Sequence, residues 1–159
     1  TLFRSVKRIL ALPEYRVRAA AIHSVANLHD LEPMSFEFLV SATKDVHPRV
    51  RLEAIRGLSF FPTIDSLQAM LSVAETDLDY WLEYTLEHSL HAMQKVWGPL
   101  ERTPNFLANF SESSRNYFRS YRAASGPGGA AVEPLAIADN VDAPMEKRLQ
   151  AIQIGRAHV

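Results

Sequence analysis

The sequence predicts an all-α protein built as an α-solenoid, a stack of helical hairpins, and three observations support this fold class. The chain repeats itself: a shift of 33 residues aligns Arg16–Arg18 with Arg49–Arg51, and a further shift of 32 aligns Asp77–Tyr80 with Asp45–Pro48. Apolar residues in each copy recur at helical spacing. Prolines and glycines fall between these apolar stripes, where helices begin or end. A fixed period of this length is typical of stacked helical hairpins.

The periodic segments divide into about four hairpins. They are predicted at residues 1–29, 33–61, 64–97 and, in degenerate form, 103–123. Pro33 and Pro48 suit the first turn of a helix because the N–H that proline lacks would be unpaired there. Pro62 ends a helix, since its ring clashes with the preceding turn. The apolar stripe Val50, Ala54, Ile55 and Leu58 is predicted to be core.

The remaining residues divide into a linker, a further helix and a tail. Residues 124–143 are rich in glycine and small side chains, which predicts a linker, and residues 144–153 predict the start of a further helix. Residues 154–159 continue no earlier pattern and match the read-through of a sequencing adapter, so they are excluded from the fold. A helical pattern begins at once after Thr1, and we therefore expect an internal piece of a longer protein.

Composition excludes several kinds of site. At 159 residues and 47% hydrophobic, the chain can bury one continuous core without metal or disulfide support. It has no cysteine, which excludes disulfides, thiolate catalysis, zinc–sulfur sites and covalent haem attachment within these residues. The net charge of −1 gives no general attraction to nucleic acid or to an anionic membrane. Partners are therefore expected to be proteins or neighbouring domains, with no membrane contact.

One repeat carries a recognisable pattern of single residues. It is written by Asp45, Pro48, Val50, Arg51, Ala54 and Leu58. This pattern resembles the HEAT repeat, particularly its short bacterial variety. The resemblance implies a structural ladder in which an arginine of one repeat reaches an aspartate of the next, here Arg18 to Asp45 and Arg51 to Asp77. Leu12 and Glu83 stand where further rungs would need an aspartate and an arginine.

A narrower resemblance rests on the runs 47–54 and 78–86 together with Val96 and Trp97. They resemble the HEAT region of large bacterial membrane-bound dehydrogenases, in which a β-propeller precedes the repeats and a cytochrome c module follows them. The resemblance implies an exported or periplasmic parent protein that contains haem c. This chain would then be a spacer and docking surface without catalytic residues or cofactors of its own.

Two other functions remain open at this point. One is a free-standing cytoplasmic HEAT protein that binds protein or nucleic acid, and the other is a HEAT enzyme of the bilin-lyase type. The sequence that flanks these residues in the gene discriminates them, because a propeller before and a Cys-x-x-Cys-His motif after are expected only for the dehydrogenase-like parent.

Three groups of side chains are candidate sites, and each also has a structural interpretation. Glu83, Glu87 and His91 recur at every fourth position, so they could bind a metal ion or relay protons. We favour a solvated face, because no second helix offers matching ligands. The other two groups are candidate partner surfaces, for which we favour inter-hairpin packing of the aromatic residues and solvation of the arginines. They comprise Tyr80, Trp81, Tyr84, Arg115, Arg119 and Arg122.

Overall fold

The computed structural model describes residues 2–31, 34–125 and 145, and these residues confirm the all-α fold class. The chain divides into two compact units, Thr1–Ser120 and Tyr121–Val159. Every regular element of the described residues is helical. The helices are α1 (Leu2–Leu10), α2 (Tyr15–Asn27), α3 (Ser35–Ala42), α4 (Pro48–Leu58), α5 (Ile64–Leu71), a 3₁₀ helix (Ser72–Glu75), α6 (Tyr80–Ala92), α7 (Gln94–Trp97) and α8 (Glu112–Ala124).

Side-chain caps fix where the helices begin. Glu14 accepts a hydrogen bond from the backbone N–H of the second residue of α2, and His47 does the same for α4. Thr63 and Asp79 accept from N–H groups in the first turns of α5 and α6. Each cap satisfies an amide that has no partner within its own helix. Pro48 is the first residue of α4, as predicted from its missing N–H.

The second helices of successive hairpins form the centre of the first unit. Helix α4 packs between α2 and α6. Helices α3 and α5, the first helices of the second and third hairpins, pack against this row. The predicted stripe of Val50, Ala54, Ile55 and Leu58 has no exposed surface, which confirms this part of the core. Gly57 permits the close approach, because a Cβ there would lie 2.8 Å from the Cβ of Ala26.

The structure departs from a regular repeat in two details. Val17, which aligns with Val50, is 40% exposed, whereas Ile22, Val25 and Ala26 of the same helix are buried. Residues 103–110 form turns, so the fourth hairpin has only its second helix, α8. Asn105 has a φ of 65°, a left-handed conformation that interrupts a right-handed helix.

The third hairpin and α8 meet through aromatic side chains. The ring of Phe118 lies 5.3 Å from that of Trp97 and 5.8 Å from that of Phe106, both edge to face. Ser114 donates a hydrogen bond of 2.9 Å to the carbonyl of Leu71. Helix α8 up to Ser120 is therefore part of the first unit's core.

Several predicted segments lie largely outside the described residues. Of the linker at 124–143 and the helix at 144–153, only residues 124, 125 and 145 are described, and residue 124 is the last of α8. The tail at 154–159 and Pro33 also lie outside. None of the described helices has both the length and the hydropathy to cross a membrane.

Candidate interaction surface

Arg18 and Asp45 form the first predicted rung of the ladder. Nε and Nη2 of Arg18 donate to the two carboxylate oxygens of Asp45, each at 2.8 Å, and Arg18 is only 7% exposed. Its Nη1 donates to the carbonyls of Leu12 and Pro13. One guanidinium therefore joins the turn before α2 to the turn before α4.

The charge and hydrogen bonds of this rung change the acidity of Asp45. Burial alone would raise the pKa of the carboxyl group. The hydrogen bond from Arg18, the backbone N–H of His47 and the charge of Arg18 together outweigh burial, and the pKa of Asp45 lies below its ordinary value of 3.8. Asp45 is therefore held in its ionised form.

The second rung differs from the prediction. Nη1 of Arg51 donates to the carbonyls of Asp45 and Val46 at 2.8 and 3.2 Å, and Nη2 lies 3.3 Å from the carbonyl of Asp77. The expected pairing with the Asp77 carboxylate is therefore corrected to a contact with its main chain. Arg51 and Asp77 are separated by 26 residues, whereas Arg18 and Asp45 are separated by 27.

A buried carboxylate that the sequence analysis missed lies between α2 and α4. The side chain of Glu53 is 6% exposed. Its Oε1 accepts from Arg49 Nη2 at 2.8 Å, and its Oε2 accepts from Arg56 Nε at 3.3 Å. Nδ1 of His23, on α2, lies 3.0 Å from the same Oε2. Glu53 thus positions two arginines of its own helix and a histidine of the neighbouring repeat.

His23 has two competing partners at one nitrogen. Its Nδ1 lies 3.0 Å from Glu53 Oε2 and 3.0 Å from Arg56 Nη2. A protonated Nδ1 donates to the carboxylate, whereas an unprotonated Nδ1 accepts from the guanidinium, so the ring satisfies one partner at a time. The sequence signal for this contact was available, because His23 and Arg56 are 33 residues apart and share a repeat position.

The predicted carboxylate–histidine line on α6 is open to solvent. Glu83, Glu87 and His91 are all exposed. Desolvation of its carboxyl group, and then the charge of Glu83, raise the pKa of Glu87 above its ordinary value. Among the described residues, no group of three or more His, Asp or Glu side chains is arranged to hold a metal ion.

The aromatic residues at the start of α6 form a connected group. The ring of Tyr80 lies 5.4 Å from that of Trp81 and 6.3 Å from that of Tyr84, and the Tyr84 ring lies 4.1 Å from that of His88. Burial, and then the charge of Glu87, raise the pKa of Tyr80. Trp81 is 39% exposed, so a partner can reach its indole.

The three arginines of α8 that the sequence offered as a candidate partner surface have different surroundings. Nη1 of Arg115 donates to the carbonyl of Phe110 at 2.8 Å, which ties the helix to the preceding turn. Arg119 is exposed, while Arg122 is partly buried and belongs to the second unit. They are therefore not assigned to one common surface.

The repeated turns and the row of α2, α4 and α6 agree with the comparison to known families. The family of HEAT repeats matches residues 5–91, more than half of the chain. The chain belongs to the HEAT-repeat family. HEAT repeats generally mediate protein interaction and scaffolding. No curated protein matches the chain. In this HEAT protein the match begins within α1 and ends at His91, one residue before the end of α6, and α7 and α8 lie beyond it.

Proposed function

We propose that this chain is a non-catalytic protein-interaction scaffold that spaces and docks the modules of a larger, exported, haem-containing dehydrogenase-like protein. The observation that carries the scaffold is the continuous row of α2, α4 and α6, which guanidinium groups join at successive turns. Neighbour contacts of this kind make a repeat array stiff enough to hold a surface in a fixed shape. The scaffold's partners are proteins or adjoining domains.

The dehydrogenase-like parent is supported by the residue runs 47–54 and 78–86, which resemble the repeat region of such proteins. Covalent haem attachment requires two thiols, and this chain has none. The residues present therefore do not fit haem c, and the haem would belong to another module. A periplasmic or exported location follows from the same resemblance.

Extending the reading frame in both directions tests the parent protein. We expect a propeller-type module before these residues and a Cys-x-x-Cys-His motif after them. A complete gene that encodes only HEAT repeats would instead support a free-standing HEAT protein, and a neighbouring bilin-protein gene would support the lyase.

Binding between separately purified modules tests the scaffold. The flanking modules, expressed as individual proteins, should bind the full 159-residue chain saturably in isothermal titration calorimetry. The matched control is a chain that carries Ala54→Asp, since this change places a charge in the core and should disrupt the array. Absence of any binding by the intact chain would contradict the scaffold.

A further inference from the structure

The two central helices are much more positively charged than the rest of the chain. Helices α2 and α4 together carry five arginines and one carboxylate, Glu53, although the net charge of the whole chain is −1. The arginines are Arg16, Arg18, Arg49, Arg51 and Arg56. This concentration is local, because the acidic side chains lie mainly in turns and on other helices.

Two of these arginines are buried, and the other three reach the surface. Arg18 is buried against Asp45, and Arg51 is buried against carbonyls. The side chain of Arg49 is 57% exposed and that of Arg56 is 34% exposed, and both share the single carboxylate of Glu53. One carboxylate cannot neutralise two guanidinium groups, so positive charge remains at the surface.

Arg16 extends the same surface towards the helix starts. It is exposed, and its guanidinium lies 5.3 Å from the centre of the Tyr15 ring, which stacks on His47 with 3.5 Å between ring centres. His47 in turn caps α4 one residue before Pro48. The stacked rings therefore bring the starts of α2 and α4 together, and Arg16 and Arg49 occupy equivalent positions there as the second residue of each helix.

Trp81 adds an apolar neighbour at the same position of the next repeat. A shift of 32 residues aligns Trp81 with Arg49, and α4 packs directly on α6. Phe60, which lies under the guanidinium of Arg56, is 40% exposed. The surface thus combines three cations with two accessible aromatic rings, a composition typical of protein-binding sites.

We infer that the basic face formed by Arg16, Arg49 and Arg56, flanked by Trp81, binds an acidic peptide segment of the scaffold's protein partner. This inference rests on the proposed scaffold function and names the chemistry of the partner. Arg49 and Arg56 are seven residues apart on one helix, which is about 10 Å along its axis. Carboxylates three residues apart on a peptide in the polyproline II conformation lie on the same side of the peptide and are separated by a similar distance, about 9 Å.

The neighbouring acids explain why the ligand is a peptide and not a nucleic acid. Asp77 and Asp79 are exposed at the start of α6, beside Trp81. A uniformly charged phosphate backbone would meet repulsion there, whereas a peptide can place an uncharged residue against the indole. The basic face also spans only two helices, which is short for a nucleic-acid groove.

Titration with a defined peptide tests this inference. The probe is a synthetic peptide in which every third residue is Glu and the others are Gly and Ser. Binding should quench or shift Trp81 fluorescence, because Trp97, the other tryptophan, is 1% exposed. Calorimetry measures the same binding independently of the fluorescence. We expect weaker binding at higher salt, and no binding of the matching peptide with Lys in place of Glu.

Two variants and one control locate the site. Arg16→Ala and Arg49→Gln should each weaken binding of the Glu peptide by about threefold, the effect of one exposed ion pair. Arg16→Ala makes no change at Glu53, so it remains informative if Arg49→Gln alters the fold. Arg119→Ala removes the same charge from α8 and should leave binding unchanged.

Each outcome decides between the inference and its alternatives. Equal affinities of Arg16→Ala, Arg49→Gln and Arg119→Ala, or tighter binding of an oligo-dT strand than of the Glu peptide, would overturn the acidic-peptide site. If the flanking modules bind while both basic-face variants leave that binding intact, the inference is wrong and the scaffold stands. If the Glu peptide binds and the modules do not, the scaffold in its proposed parent is wrong.

Discussion

Arg18 and Arg51 occupy equivalent positions in α2 and α4, yet only Arg18 pairs with a carboxylate. A buried guanidinium needs acceptors for its N–H groups, and either a carboxylate or several carbonyls can supply them. The choice matters for stability, because removing a paired carboxylate leaves a buried charge without its counter-ion. The two rungs of the ladder should therefore respond differently to the same substitution.

Asp45→Ala and Asp77→Ala form a matched pair that tests this difference. Asp45→Ala should lower the free energy of unfolding by about 3 kcal/mol, since Arg18 would stay buried without its carboxylate partner. Asp77→Ala should cost less than about 0.5 kcal/mol, because Arg51 contacts only the Asp77 carbonyl. Urea unfolding of the full chain measures both. Equal losses would show that the two rungs are equivalent in solution.

The lowered pKa of Asp45 makes the first rung sensitive to acid. The folded-state pKa lies below the ordinary value of 3.8, so the ionised carboxylate contributes stability above that value. This contribution is lost as the pH falls through the folded-state pKa. The difference in unfolding free energy between the wild-type chain and Asp45→Asn should therefore shrink between pH 5 and the acid limit of folding. A difference that stays constant or grows on acidification would contradict the assigned shift.

At the scale of helices, the stripe of α4 is the best-determined part of the core. Val50, Ala54 and Leu58 have no exposed surface, and α2 and α6 cover them from both sides. An interior packed to this density has no room for water around a new charge. A charged substitution on this stripe should therefore destabilise the whole array of repeats.

Ala54→Asp should destabilise the chain by several kcal/mol, because it buries an unpaired carboxylate between two helices. Ala20→Asp is the matched control, since Ala20 is exposed on α2 and the same change there meets solvent. Thermal unfolding followed by circular dichroism compares the two. A melting temperature of Ala54→Asp equal to that of Ala20→Asp would show that the face of α4 is assigned wrongly.

The sequence predicted the helices correctly where the repeat is regular. The prediction failed where the conformation or the contact of a single residue determines the local structure. The apolar period and Pro48 gave α4 to within a few residues, because helical spacing is a local property. The turn structure at 103–110 depends on Asn105 adopting a left-handed conformation, which the apolar pattern there does not encode. The cluster at Glu53 includes His23 from the previous repeat. The 33-residue spacing aligns His23 with Arg56, but the contact with Glu53 itself depends on how α2 packs on α4.

At the scale of the whole molecule, the apolar core and the surface charge have different distributions along the chain. The core is apolar and continuous through three hairpins, while the positive charge of α2 and α4 is offset elsewhere to a net charge of −1. Repeat arrays gain their stability from contacts between neighbours, so surface residues can vary without loss of fold. Arg16 of the basic face can therefore serve a partner without a role in holding the chain together, whereas Arg49 and Arg56 also pair with the buried carboxylate of Glu53.

A chain stabilised in this way should fold without metal or haem. The full chain should keep its helical circular dichroism signal and its melting temperature in the presence of EDTA, because its core is apolar and the buried charges of Arg18 and Glu53 are paired within the protein. Mass spectrometry under native conditions should show the mass of the polypeptide alone. The control is Glu87→Gln, which removes the central carboxylate of the line on α6 and should behave identically. A loss of helicity when the wild-type chain is treated with EDTA, with no such loss in Glu87→Gln, would show that Glu83, Glu87 and His91 form a metal site and that the array depends on it.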